Sequence, residues 1–246
     1  MERDLQNELE QFILSHKFPG RVLFARVWGS YSHHTNMPES DVDYQLVYVA
    51  PTKEMLSLKK PPDTMDGKKP DFQAHELGKF CSLLLKGNPS IVEMLFTNEY
   101  RMCGRGWDTL LTERKRFLSK ATVKQYLGYA QGQLRRLEEG VSLHTKTGEY
   151  NTKWAYHLIR LLLDAQRIVN GNLPGVVKVG DELDLLMKIR RGETPKDQIV
   201  CFAGQMVQEI NTKRLACTLP EEGDATFLND WQLRIRMDDL VDEVLR

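Results

Sequence analysis

Gly29-Ser30-Tyr31-Ser32-His33-His34-Thr35-Asn36-Met37-Pro38-Glu39-Ser40-Asp41-Val42-Asp43-Tyr44 is the stretch that decides the fold. An apolar run from Val22 to Trp28 enters it, and a second from Asp43 to Val49 leaves it. Both read as β-strands, the first closed by Gly29 and the second ended by Pro51. Between them lie a Gly-Ser pair, a polar loop and an Asp-x-Asp. Residues i and i+2 of a strand point to one face, so Asp41 and Asp43 stand side by side, roughly 7 Å apart at Cα. Two unpaired carboxylates that close repel one another. A divalent cation removes that cost: hard oxygen ligands suit Mg²⁺, and two carboxylates plus substrate phosphates are a usual set for it. Mn²⁺ is the alternative ion. Gly29 allows close backbone approach, and the Ser30 hydroxyl with exposed N–H groups beside it can hold a terminal phosphate. Taken singly, Asp-x-Asp and Gly-Ser are ordinary turn chemistry. Flanked by two strands, they combine a phosphate grip with a metal grip, which is what nucleotidyl transfer needs.

Working outward, Glu2 to His16 carries Leu5, Leu9, Phe12 and Ile13 at helical spacing and stops at Phe18-Pro19-Gly20. Thr52 to Leu58 makes one or two helical turns, and Lys59 to Pro70 reads as a polar, mobile loop. Asp71 to His75 alternates like a short third strand. Glu76 to Lys86 is an amphipathic helix stopped by Gly87, and Asn88-Pro89 opens another, Ser90 to Phe96. The remainder is helical: Trp107–Leu111, Lys120–Glu139, Asn151–Asn170, Asp181–Ile189, Pro195–Cys217 and Thr226–Leu245. The expected fold class is therefore α+β: a small mixed β-sheet core with flanking helices, followed by an all-helical C-terminal bundle. The natural cut lies near residue 118, giving domains 1–118 and 119–246.

Composition narrows the partners. Among 246 residues, 34 Lys plus Arg balance 34 Asp plus Glu, so there is no general attraction to nucleic acid or membrane, and any such contact needs a local basic patch. The four cysteines, Cys81, Cys103, Cys201 and Cys217, are scattered, which argues against a zinc site or disulfide framework and fits a reducing, intracellular (cytoplasmic) compartment. The charged N-terminus has no apolar stretch behind it, and no run is long enough to span a bilayer.

The Gly-Ser…Asp-x-Asp pattern resembles the signature of the DNA polymerase β-type nucleotidyltransferase superfamily. More narrowly, the chain is similar to the RNA-ligase-associated (RlaP-like) predicted nucleotidyltransferases. That resemblance extends through Leu83-Leu84-Leu85-Lys86-Gly87-Asn88-Pro89, Glu93-Met94-Leu95-Phe96, Lys153-Trp154-Ala155-Tyr156-His157-Leu158-Ile159-Arg160, Ile189-Arg190-Arg191-Gly192-Glu193 and Leu219-Pro220-Glu221. It implies that Asp41 and Asp43 are catalytic metal ligands and that Ser30, with Gly29, contacts the triphosphate of an NTP such as ATP. It implies transfer of a nucleoside monophosphate to a hydroxyl, an RNA end being one acceptor class, with release of pyrophosphate. The loop departs from many relatives, which carry an arginine and a glycine where Tyr31-Ser32-His33-His34 stands; loop histidines of this kind are expected to be exposed and solvated.

Two assignments complete the expected site. The third carboxylate is Asp71, opening its short strand, with Glu76 as the rival; Glu76 sits at a helix start, where an acid is already favoured by the helix dipole. In the helix Asn151–Asn170, apolar around most of its circumference, Lys153, His157 and Arg160 fall at i, i+4 and i+7 and form one cationic stripe. Either the stripe is a solvated face with Asp164 pairing Arg160, or it neutralises triphosphate or nucleic-acid phosphate, a task suited to Arg and Lys. Lys59-Lys60 with Lys68-Lys69, and Arg114-Lys115-Arg116 with Lys120 and Lys124, read first as solvated surface, with contact to an RNA backbone as the alternative. A non-catalytic module that keeps the fold to bind nucleotide, RNA or a partner is the alternative function.

Overall fold

The computed structural model of the chain describes residues 4–140 and 150–244. The predicted helix ends at Glu2 and Leu245 lie outside these residues. The described strands are β1 (Arg21–Trp28), β2 (Asp43–Val49), β3 (Thr64–Lys68), β4 (Asp71–Glu76) and β5 (Arg101–Cys103), joined in one mixed sheet of order β3-β4-β2-β1-β5. β2 and β4 run parallel; the other neighbours are antiparallel. Two strands escaped the sequence reading. β3 lies inside the stretch Lys59–Pro70 that reads as loop, and β5 is three residues long. Both are edge strands of weak intrinsic preference, formed because a neighbour offers them a ladder.

One sheet face is closed by α1 (Leu5–Ser15), whose N-cap Asp4 accepts a hydrogen bond from the Asn7 N–H at 3.1 Å. Leu5, Leu9 and Phe12 of this helix pack with Ala25, Val27, Tyr44, Leu46, Tyr48 and Ala74. Phe12 stacks on Tyr44 with ring centroids 4.3 Å apart. Each fully buried side chain of this size contributes about 1.5–3 kcal/mol. Strand alternation then sends Arg26, Asp43, Gln45, Asp71 and Gln73 to the opposite face. That face is apolar where Phe24 stacks on Trp107 (4.3 Å), with Phe80 and Trp231 beside them, and polar toward the start of β2 and β4.

The chain divides into two compact units. The first holds the sheet, α1, α2 (Thr52–Met55), α3 (Leu77–Leu85), α5 (Trp107–Thr112) and the last helix, α10 (Ala225–Val244). The second comprises residues 86–93 and 115–223, with α4 (Pro89–Met94) at its start, then α6 (Lys120–Glu139), α7 (Thr152–Val169), α8 (Gly180–Arg190) and α9 (Lys196–Ala216). The apolar circumference of α7 places it at the centre of this unit, packed by α6, α8 and α9. The α+β class, a mixed sheet with flanking helices followed by a largely helical C-terminal region, is as the sequence predicts. No helix among the described residues is long and apolar enough to cross a membrane.

Candidate active site

The Gly-Ser turn is shaped by what cannot be there. Gly29 has φ +74°, and a β-carbon on it would lie 2.5 Å from Asp43 Oδ2. Glycine is required twice: for the left-handed backbone and for the carboxylate that lies against it. Trp28 at the end of β1 pairs with Asp43 at the start of β2, which brings the two halves of the motif together. The loop then folds on itself. The Ser30 carbonyl accepts from the N–H groups of Thr35 (2.9 Å) and His33 (3.3 Å), and the Ser32 hydroxyl donates to the Gly29 carbonyl (2.9 Å). Ser32, His33 and Thr35 are buried, so the expectation of two solvated histidines is corrected for His33. Only His34 faces solvent, in a left-handed conformation (φ +58°), with Nε2 2.8 Å from Glu99 Oε2. A loop closed by its own backbone needs buried side chains at its centre, and His33 is one of them.

The carboxylates follow from register. Tyr44 of β2 pairs with Phe72 of β4 in the parallel ladder, so Asp43 and Asp71, one residue earlier, stand at the matching starts of adjacent strands. Both point away from the face packed by Tyr44 and Phe72. Asp41 precedes β2 and is exposed; Val42 and Tyr44 are buried on the α1 side, which turns Asp41 and Asp43 the other way. Among the described residues no group of three or more His, Cys, Asp or Glu gathers closely enough to hold a metal ion. Asp41, Asp43 and Asp71 thus share one sheet end without a preformed three-ligand cage. The donor set nevertheless has the chemistry of a Mg²⁺ site, since this ion is held by one or two carboxylates with substrate phosphates supplying the rest.

Glu76, the rival third carboxylate, does something else. It lies five residues beyond Asp71, and hence on the opposite face of β4. It is buried, takes a short ion pair from Arg236 of α10, and accepts from the Gly78 N–H at 2.7 Å. Arg236 also donates to the Ala50 carbonyl at 2.9 Å. Glu76 therefore ties α10 to the sheet.

Arg26 is a residue that sequence reasoning passed over. It is fully buried, with Nε and Nη2 donating to Gln45 Oε1 (3.1 and 2.7 Å) and Nη1 to Thr97 Oγ1 (2.6 Å). Pairing of Arg26 with Gln45 and of Trp28 with Asp43 sets the guanidinium diagonally behind Asp43 on the same face. The signal was present: a lone charge within Val22-Leu23-Phe24-Ala25-Arg26-Val27-Trp28.

In the second unit the predicted stripe divides. Lys153 is exposed, whereas Arg160 is buried, in a short ion pair with Glu93 and 3.8 Å from Asp164 Oδ2. Asp164 in turn accepts from Lys178 Nζ at 2.7 Å and the Gly175 N–H at 3.1 Å. Glu93, Arg160, Asp164 and Lys178 form a chain of alternating charge inside the helical unit, where a buried charge needs a partner. Burial, then the charges of Arg160, Lys153 and Arg190, push the His157 imidazole down to about 3, so it is neutral at pH 7. The Arg190 guanidinium lies 5.0 Å over the Tyr156 ring, which packs edge-on to His157.

A 120-residue stretch is 28% identical to the "Uncharacterized 38.9 kDa protein in nrdC-mobD intergenic region" of Enterobacteria phage T4, covering 43% of this chain and 35% of that protein. The chain thus spans about a third of the length of that curated relative. The family described as "RlaP: RNA repair pathway DNA polymerase beta family" matches residues 1–234. With the Gly-Ser turn, the Asp-x-Asp and the mixed sheet that joins them, this match over most of the sequence makes the chain a member of the RlaP family of DNA polymerase β-type proteins.

Proposed function

We propose that the chain is a Mg²⁺-dependent nucleotidyltransferase that moves a nucleoside monophosphate from an NTP to a hydroxyl acceptor, an RNA end, and releases pyrophosphate. The observation that carries this reading is the register of Tyr44 with Phe72, which sets Asp43 and Asp71 at the starts of adjacent strands, with Trp28 paired to Asp43 just before the Gly29-Ser30 turn. Asp41, Asp43 and Asp71 are the residues that would hold the metal. When bound, Mg²⁺ (or Mn²⁺) supplies Lewis-acid stabilisation of charge on the reacting phosphate. Gly29 leaves room for the Asp43 carboxylate against the turn, and Ser30 with its neighbouring backbone orients the terminal phosphates. The acceptor oxygen forms a bond to the α-phosphorus, the bond from that phosphorus to the bridging oxygen breaks, and pyrophosphate leaves with the electron pair. The hydroxyl proton passes to water. Arg26 acts at one remove, as a positioning residue behind Asp43. Within the helical unit, taken by itself, the exposed Lys153 is the residue we assign to phosphate binding, with the neutral His157 on the same side, whereas Arg160 is held by Glu93 and binds phosphate only by exchanging that partner.

The test offers α-labelled NTP, Mg²⁺ and a single-stranded RNA to the full chain. Asp43→Asn and Asp71→Asn should each lower transfer by about 10²–10³-fold, the usual loss on removing one preorganised electrostatic group. The carboxylates that do not converge as a triple favour a second reading, a nucleotide- or RNA-binding module without transfer. Metal-independent NTP binding with no labelled product would decide for that module.

A further inference from the structure

Across the end of the sheet where Asp43 and Asp71 begin their strands, the order of side chains is set by the order of strands. Gly29-Ser30 follows β1, Asp43 opens β2, Asp71 opens β4, and Lys68 ends β3 opposite Asp71. With strands about 4.8 Å apart, the lysine lies three spacings, roughly 14 Å, from the phosphate turn, with both carboxylates between. Directly paired residues of an antiparallel ladder share a face, so Lys68 points to the same side as Asp71. Lys69 follows in the turn, and both lysines are exposed. Among the described residues neither lysine makes an ion pair within 4.0 Å, so neither ammonium group is tied down by a carboxylate.

The hairpin that carries them is anchored. Gly67 pairs with Phe72, and a β-carbon at Gly67 would sit 2.2 Å from the Phe72 ring. Phe72 packs in turn against Phe12 (5.4 Å) and Phe18 (6.1 Å). The tip is thus held in one place relative to Asp71. The second lysine pair, Lys59-Lys60, enters β3 from its other end, because Thr64 pairs with His75 and Lys68 with Asp71. Four residues of strand, roughly 14 Å, separate the two ends.

We infer that Lys68 and Lys69 hold the phosphodiester backbone of a single-stranded RNA acceptor and so present its terminal hydroxyl to the carboxylate pair. The inference rests on the transferase reading above. In-line displacement requires the attacking oxygen and the leaving pyrophosphate on opposite sides of the phosphorus. Pyrophosphate is gripped on the β1 side, so the acceptor approaches from the β4–β3 side, where these cations stand. Flexible ammonium groups without a stacking platform bind phosphate as point charges and carry no base preference.

The experiment has two arms. In the first, binding of a fluorescent single-stranded RNA to the full chain is followed by anisotropy across a salt series. Lys68→Ala/Lys69→Ala should weaken binding several-fold at low salt. It should flatten the slope of log K against log salt by about 1.4, as expected for two lost contacts at about 0.7 each on a single strand. Lys59→Ala/Lys60→Ala should leave the slope as in the parent, and circular dichroism checks that both variants fold. In the second arm KM is measured for NTP and for RNA: the Lys68/Lys69 variant should raise only the latter. An unchanged slope, no RNA binding, an equal loss of NTP affinity (a triphosphate contact), or binding of a protein acceptor reduced in the same way would each overturn the inference. Transfer that survives with an unchanged slope sinks the hairpin assignment alone. A changed slope with no transfer by the parent chain sinks the transferase reading and leaves the RNA site standing.

Discussion

Asp71 and Glu76 share one strand, and the five residues between them send their side chains to opposite faces. Asp71 is exposed and Glu76 buried. The same substitution should therefore have opposite consequences at the two sites. Glu76→Ala leaves the Arg236 charge without its partner inside the first unit, and breaking a buried pair from one side costs about 3–5 kcal/mol. Asp71→Ala removes an exposed carboxylate and should change stability by no more than about 0.5 kcal/mol. Urea unfolding of the two variants reads this, alongside transfer assays in which Asp71→Ala is inactive. A stable, inactive Glu76→Ala with a fully active Asp71→Ala would reverse the assignment. At this scale the sequence made Asp71 and Glu76 rivals because both are acids near one strand; burial and partner separated them. Arg26 was visible as a charge in an apolar run, yet its engagement with Gln45 and Thr97 depends on residues 19 and 71 positions away.

Among the elements, α7 is the one whose pattern said most and whose polar residues said least. Its apolar circumference predicts burial, and it is buried. The i, i+4, i+7 spacing of Lys153, His157 and Arg160 predicts a shared side, but not that Arg160 meets Glu93 while Lys153 stays in water. His157 gives this element a pH signature. Its folded pKa, about 3, lies below the unfolded value near 6.5, so the unfolded chain binds the extra proton first. Its contribution to stability is intact above pH 6.5 and falls with acidification by up to about 1.4 kcal/mol per pH unit until pH 3. Asp164, whose carboxyl is pushed up by burial against the pull of Lys178 and Arg160, tilts the curve the other way. His157→Gln leaves Asp164 in place, so the difference between the two proteins isolates the imidazole. Urea midpoints between pH 7 and 4 should fall less for the variant; parallel curves would show that His157 does not titrate with unfolding. β3 illustrates the converse. Thr64-Met65-Asp66-Gly67-Lys68 has little strand preference of its own, and it becomes a strand because β4 offers a ladder and Phe72 covers the glycine.

For the whole molecule, the notable feature is that the chain returns. After the helical unit, α10 joins the sheet unit. There Trp231 donates its indole N–H to the Gly106 carbonyl at 2.9 Å, and Arg236 reaches Glu76 and Ala50. Thr52 donates its backbone N–H to Glu243 at 2.8 Å. A chain ended at Gly223 loses all of these. Deleting a buried Trp alone costs about 3–5 kcal/mol, a large part of a domain's stability. Hydrogen exchange should show β2 and β4 amides unprotected in the truncated protein and α7 amides still protected; protected strand amides would show that α10 is dispensable. Periodicity, caps and the Gly-Ser…Asp-x-Asp spacing are local properties. From them come the order of elements, the α+β class and the place of Asp41 and Asp43 at the start of a strand. Pairing partners are long-range. The parallel register that sets Asp43 beside Asp71, the hairpin that puts Lys68 next to them, the ion pairs that claim Glu76 and Arg160, and the return of α10 were decided only by tertiary structure, because each joins segments whose meeting depends on the energy of the whole packed unit rather than on their own residues.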